Sequence, residues 1–276
     1  MSVIALPRRT LVLAASLIAF ALGTAALSGG AAAQQAAPDG LARIKARGKL
    51  VAGVKFDTPP FGFLDEKNEP AGFDIDIVRK IGERLGVPVE LVKVTSPTRI
   101  PMLVSGNADL VAASMTHTRE RTKAIDFSIT YYVGAQSLIV AKASGITGLK
   151  DLAGKQVAVQ QGTTLEKNIA AAAPQAKILA FKDYNSAWLA LVQGRADALT
   201  GSLDILQGFA KQDPNYVILP DRFSVEPFGI GLRQGDFALR NEVDFTLQDL
   251  WTSGQYRELY RKWFKAEPET PIEVWP

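Results

Sequence analysis

The chain of 276 residues contains no cysteine. That excludes disulfides, thiolate metal sites and a lipidated N-terminal cysteine. There is one histidine, His117, which argues against a histidine-ligated metal centre and leaves little from which to build a Ser–His nucleophile pair. No metal and no cofactor is expected. A real charge excess is also missing. The 31 basic residues face 28 acidic ones, and Arg8 and Arg9 are the only charged residues before position 34, which leaves 29 against 28 beyond it. Such a balance gives no case for nucleic acid or an anionic membrane surface as partner. Long apolar runs are absent too. The best candidate, Leu11 to Leu27, is interrupted by Ser16, Gly23 and Thr24 and falls short of the about 20 residues that a membrane span needs.

That run suits an export signal instead. Arg8-Arg9 form a basic start, the apolar stretch follows, and Ala31-Ala32-Ala33 offers a small-residue cleavage site. Residues 1–33 are therefore expected to be a signal peptide cut near Ala33, with an uncleaved anchor as the alternative. The arginine pair leaves twin-arginine export open, although Thr10-Leu11-Val12 matches that signal poorly. Export without a lipid anchor fits a Gram-negative periplasm.

What the chain does have is a sentence said twice. Leu103-Val104-Ser105-Gly106-Asn107-Ala108-Asp109-Leu110 returns as Leu191-Val192-Gln193-Gly194-Arg195-Ala196-Asp197-Ala198. Each copy reads as a helix end, a glycine for the left-handed cap, and a buried strand. Upstream, Gly48-Lys49-Leu50-Val51-Ala52 is echoed by Gly154-Lys155-Gln156-Val157-Ala158. Two similar α/β units in the same order predict two similar lobes, and ligands prefer the clefts between domains. Strands are expected at 50–54, 89–94, 109–113, 156–160, 177–181 and 197–200, alternating with helices, which predicts parallel sheets in both lobes. From Ala238 nearly to Lys265 the pattern predicts one long helix that packs back on the first lobe. Segments 131–141 and 217–232 are then the two crossings.

Two loops carry chemistry. Ser114-Met115-Thr116-His117-Thr118-Arg119-Glu120-Arg121 follows the carboxyl end of a strand, where open α/β sheets bind ligands. Its hydroxyls, amides and guanidinium suit a carboxylate, which an arginine fork can bond through both oxygens. Gln161-Gly162-Thr163-Thr164 is the counterpart in the second unit, where a helix start exposes amides toward an anion.

These residues resemble a known family. Gly72-Phe73-Asp74-Ile75-Asp76-Ile77 with Ile81 is similar to the signature of the family 3 solute-binding proteins, the periplasmic amino-acid receptors of ABC transporters. The resemblance runs from about Gly48 to Phe264. It includes Thr98-Arg99-Ile100-Pro101, Ile125-Asp126-Phe127-Ser128, Asp151-Leu152-Ala153-Gly154-Lys155 and Glu226-Pro227-Phe228-Gly229-Ile230. It implies an α/β, two-lobed periplasmic-binding-protein fold of type II (the Venus-flytrap form) with two hinge crossings. The first lobe would span 41–134, the second 135–228, and the return segment 229–276.

By the same resemblance, Arg121 clamps the ligand α-carboxylate, assisted by Thr116 and the amide of Thr164. Ser114 helps hold the α-amino group. Arg99 faces the ligand side chain, with Ser96 nearby, and Lys55 sits where receptors for basic amino acids often carry an acid. Two aromatic positions of that basic branch read Thr58 and Ser96 here, so the stacking box is missing. Both changes favour an acidic or short polar ligand such as glutamate, aspartate or glutamine. One departure stands out: the acid that usually meets the ammonium group after the second-lobe strand is replaced by Ser202. Either Asp204 or another acid substitutes, or the ligand lacks an ammonium group. The expected partners are a small amino acid or related carboxylate and an inner-membrane permease, with the protein a monomer and not an enzyme. The alternative is a dehydratase resembling cyclohexadienyl dehydratase on the same fold, for which Glu166 is the obvious acid.

Overall fold

The computed structural model of this protein describes residues 39–276, and the signal-peptide reading of residues 1–33 lies outside them. Helix α1 (Gly40–Arg47) begins where the Asp39 side chain accepts a bond from the Ala42 amide at 2.7 Å and ends at Gly48 with φ +72°. Strand β1 (Leu50–Val54) is buried throughout. The next segment folds into a small antiparallel sheet of β2 (Asp57–Thr58), β3 (Gly62–Leu64) and β4 (Pro70–Ala71). It closes at Gly72, φ +137°, where a Cβ would lie 2.1 Å from the Phe61 carbonyl oxygen, so no side chain fits. Helix α2 (Phe73–Leu85) buries Ile75, Val78, Ile81 and Leu85 on its apolar face, each contributing about 1.5–3 kcal/mol of transfer free energy.

The first lobe continues through β5 (Val89–Lys93), α3 (Arg99–Val104), β6 (Leu110–Val111) and β7 (Ile125–Phe127). Strand β8 (Tyr132–Ala141) leaves it. The second lobe contains β9 (Gln156–Gln160), α4 (Thr164–Ala172), β10 (Lys177–Phe181), α5 (Tyr184–Val192), β11 (Ala198–Ser202), α6 (Leu203–Ala210) and β12 (Tyr216–Ile218). Strand β13 (Val225–Phe228) crosses back to β14 (Gly231–Arg233), followed by α7 (Phe237–Thr252) and α8 (Gln255–Phe264).

The larger sheets run β5-β1-β6-β14-β7 and β10-β9-β11-β8-β12. Their cores are parallel, as expected, but neither sheet is wholly so. Strand β14 is antiparallel to β6, and β8 is antiparallel to β11. The crossing strands arrive at the edge where the parallel strands end, so they run down the sheet against them. The crossings themselves are short: residues Tyr132 to Ala135 of β8 pair antiparallel with β13.

The long C-terminal helix is in fact two, broken at Gly254 with φ +84°. The break lets α7 lie along α1 and α2 while α8 turns back onto α2. Behind the crossings, Phe61 packs edge-on against Tyr132 at 4.9 Å and Phe73 against Phe264 at 5.1 Å. This aromatic cluster ties the crossing strand to α2 and α8. Among the described residues no helix is long and apolar enough to cross a membrane.

Candidate functional site

A small cavity lies between the lobes, beside the crossings. Lys55, Ser96, Arg99, Ser114, Thr116, Arg121, Thr164 and Ser202 all line it. The eight candidates, scattered over the sequence, thus share one surface because each follows the carboxyl end of a strand or starts a helix there. Thr58 does not join them; its hydroxyl donates to the Gly62 carbonyl at 3.1 Å.

The first lobe supplies every cation. Arg121 donates from Nη1 to the Thr116 carbonyl at 2.7 Å and from Nη2 to the Gly162 carbonyl at 3.3 Å, so it already reaches across the cleft. Burial lowers its pKa, with Glu226 and Glu120 acting in the other direction. Arg99 is buried and largely spent on backbone. It donates to the carbonyls of Ser96, Ala113, Ser114 and Gly162 at 3.2, 2.9, 3.2 and 3.4 Å. Burial, with Arg121 nearby, lowers its pKa to about 9. Arg99 thus lines the cavity with a fork that braces the loop and meets the second lobe.

Lys55 is the cation at the far end. Its Nζ donates to Gln160 Oε1 at 2.7 Å, and Ser96 Oγ donates to the same oxygen at 3.1 Å. Burial brings its pKa down to about 7; Asp57, Asp74 and Asp183 pull upward while Arg99 pushes down.

Ser114 adopts φ +48°, which a non-glycine residue needs help to hold. Asp74, in the first turn of α2, provides it. Its Oδ2 accepts from the Ser114 amide at 2.9 Å and its Oδ1 from the Tyr131 hydroxyl at 2.7 Å. Burial lifts this carboxyl to about 6 although both bonds and Lys55 pull it down. The aspartate of the signature motif thus shapes the cleft without lining it.

The second lobe offers neutral groups. Thr164 opens α4, so its amide has no partner within the helix. Gln160 ends β9, and Tyr184 starts α5 after Asp183 has capped it by accepting from the Ser186 amide at 2.7 Å. Ser202 is 2 % exposed, and its Oγ has no hydrogen-bond partner among the described residues.

Asp204 does not line this cavity. That carboxylate is held by the Tyr132 hydroxyl and borders a separate cavity behind the crossings. The acid in the cleft is Glu226, from β13. Its Oε2 accepts from the Thr116 and Thr164 hydroxyls, each at 2.6 Å, and its Oε1 from Asn168 Nδ2 at 2.7 Å. Gln160, Tyr184, Glu226 and Phe228 were not among the sequence candidates. Gln160 was within reach, since it ends a strand on the same edge as the others. Glu226 belongs to the Glu-Pro-Phe-Gly-Ile motif, which by itself assigns it no role. Glu166, the acid of the dehydratase alternative, does not line this cavity but a neighbouring one that shares Arg121 and Thr164 with it, and it accepts from the Gly162 amide at 3.3 Å.

Comparison with known proteins decides between these readings. Residues 50–266 match the model of the bacterial extracellular solute-binding proteins, family 3. The chain belongs to that family. It is 40 % identical over 246 residues to the ABC transporter glutamine-binding protein GlnH of Bacillus subtilis, covering 87 % of this chain and 90 % of the relative. It is 32 % identical over 274 residues to the L-glutamate/L-aspartate-binding protein of Pseudomonas aeruginosa, covering 94 % and 90 %. A solved structure of an ancestral arginine-binding protein bound to glutamine superposes with a TM-score of 0.76 at 37 % identity, covering 80 % of this chain and 99 % of that one. The family 3 fold is two-lobed, and these relatives are named as binding proteins, GlnH as one of an ABC transporter. The chain is accordingly a solute-binding protein and not an enzyme.

Proposed function

We propose that this protein captures L-glutamine between its lobes, with L-glutamate as a weaker ligand, and delivers it to an ABC permease. The observation that carries this reading is the polarity of the cleft. At one end Arg121 and the start of α4 suit an α-carboxylate. At the other, Lys55 and Ser96 donate to the carboxamide oxygen of Gln160, and Asp57 Oδ2 accepts from its Nε2 at 3.4 Å. That end already solvates one carboxamide with donors for its oxygen and an acceptor for its nitrogen. A second carboxylate finds less there, because Arg99 is engaged by carbonyls and Lys55 titrates near pH 7. Arginine and lysine would bring a cation against Lys55 and Arg99 in a water-poor space, which costs several kcal/mol. GlnH is named for glutamine, and the ancestral structure holds glutamine although that ancestor is named an arginine-binding protein.

In this reading the lobes divide at the crossings, with 41–134 and 229–276 forming one and 135–228 the other. Ligand bridging both stabilises the closed form by its differential affinity. Working as an exported monomer in the periplasm completes the picture. Calorimetric titration with glutamine, glutamate, aspartate, arginine and lysine tests it. Glutamine is expected to bind tightest and the two basic amino acids not at all; preferential binding of arginine overturns the proposal.

A further inference from the structure

An α-amino acid enclosed in a cleft brings an ammonium group out of water, and a buried cation needs a paired acid. We infer that Glu226, carried on the crossing strand β13, is the acid that receives the ligand α-ammonium group. The inference rests on the amino-acid reading above. Among the described residues that line the cavity, Glu226 is the one acid. The neighbouring acids do not line the cavity. Asp74 is held by Ser114 and Tyr131, Asp57 lies behind Gln160, and Asp204 faces the rear cavity.

Position supports the role. Glu226 is 2 % exposed, and the Thr116 hydroxyl that it accepts comes from the loop that also carries Ser114 and Arg121. The carboxylate shares the cavity with Arg121 and is near enough to act on its charge. It is also where three parts of the chain meet. Thr116 comes from the first lobe, Thr164 and Asn168 from α4 of the second, and Glu226 from the crossing between them. Its full set of donors exists only with the cleft shut. Ammonium recognition is thereby coupled to closure, and an acid on Ser202 is no longer required.

The test compares two ligands that differ only in the amine: L-glutamine and 5-amino-5-oxopentanoate. In Glu226→Gln, affinity for glutamine is expected to fall about tenfold to a hundredfold more than affinity for the amine-free analogue, as for loss of a charge-assisted bond. Adding Ser202→Asp to that variant should recover much of the loss for glutamine alone, since Ser202 Oγ is buried, unpaired and lines the same cavity. Should melting show Glu226→Gln unfolded, Glu226→Asp serves, because it withdraws the charge by one methylene. An equal loss for both ligands, or an unchanged ratio in Glu226→Asp, overturns the inference and leaves Glu226 a brace between lobes. A wild-type protein that binds no amino acid overturns the functional reading itself, so the two failures are told apart.

Discussion

The two copies of the Gly-x-Ala-Asp segment build the same corner and then part company. Gly106 and Gly194 take φ +76° and +70°, and each is followed by an aspartate whose amide bonds the opening strand of its lobe at 2.8 Å. Asp109 accepts from the Val51 amide at 2.8 Å, and Asp197 from the Gln156 amide at 2.7 Å. Up to that point the lobes are one design. Beyond it, the first copy runs into a loop that holds Ser114 at φ +48° and delivers Arg121, while the second passes directly from Ser202 into α6. The first lobe brings Lys55, Arg99 and Arg121; the second brings amides and hydroxyls; the acid arrives on the crossing. A repeated frame sets where loops emerge, and the loops alone decide which lobe grips and which one covers.

The sharpest way to break this division is to remove one group from each lobe. Arg121→Ala is expected to weaken glutamine binding by about 2–5 kcal/mol, because it strips the partner from a desolvated carboxylate. Ser202→Ala, by contrast, removes an oxygen that bonds nothing among the described residues and should change affinity by less than about 0.5 kcal/mol. Calorimetry on both variants compares them directly. Comparable losses would mean that the second lobe grips as well.

The corners themselves differ in burial, which gives a smaller contrast. Asp109 has a side chain 2 % exposed and pairs with Arg47; Asp197 is 39 % exposed with Lys155 at 3.8 Å. Replacing Asp109 by Ala orphans a buried amide and should cost about 2–3 kcal/mol of stability. Asp197→Ala should cost nearer 0.5–1 kcal/mol, since water reaches the freed groups. Urea unfolding of the two variants measures the gap, and equal losses would contradict the asymmetry.

Much of this was legible before any coordinates. Helical spacing from Ile75 to Leu85, the glycine caps and the doubled corner follow from local chemistry, as do the loops of Ser114, Thr116, Arg121 and Thr164, whereas Lys55, Ser96, Arg99 and Ser202 are candidates only through the family resemblance. The parallel sheets were half right, because strand direction after a hinge depends on where the chain re-enters and not on its residues. The role of Glu226 was hidden for a related reason. Its partners Thr116 and Thr164 lie 110 and 62 residues away, and nothing local in Glu-Pro-Phe-Gly announces them. The bonding of Arg99 was hidden in another way: residue type reveals a cation, but the carbonyls that it meets are backbone and belong to no motif.

The last contrast concerns Lys55, the far-end cation of the gripping lobe. Burial brings it from 10.5 to about 7, so the empty cleft loses this proton near neutral pH. A ligand carboxylate placed beside it favours the protonated form and raises its pKa. Binding of glutamate should therefore take up protons above pH 7, and affinity should fall as pH rises, by at most about tenfold per unit. Glutamine offers a neutral oxygen in the same place and should show a shallower decline. Asp74, which titrates near 6, sets the lower end of the useful window, so the comparison belongs between about pH 7 and about pH 8.5. Titrating both ligands in buffers of different ionisation enthalpy reads the proton uptake directly. Parallel pH profiles for the two would show that Lys55 stays charged in the empty cleft, and the preference for a carboxamide over a carboxylate would lose its basis.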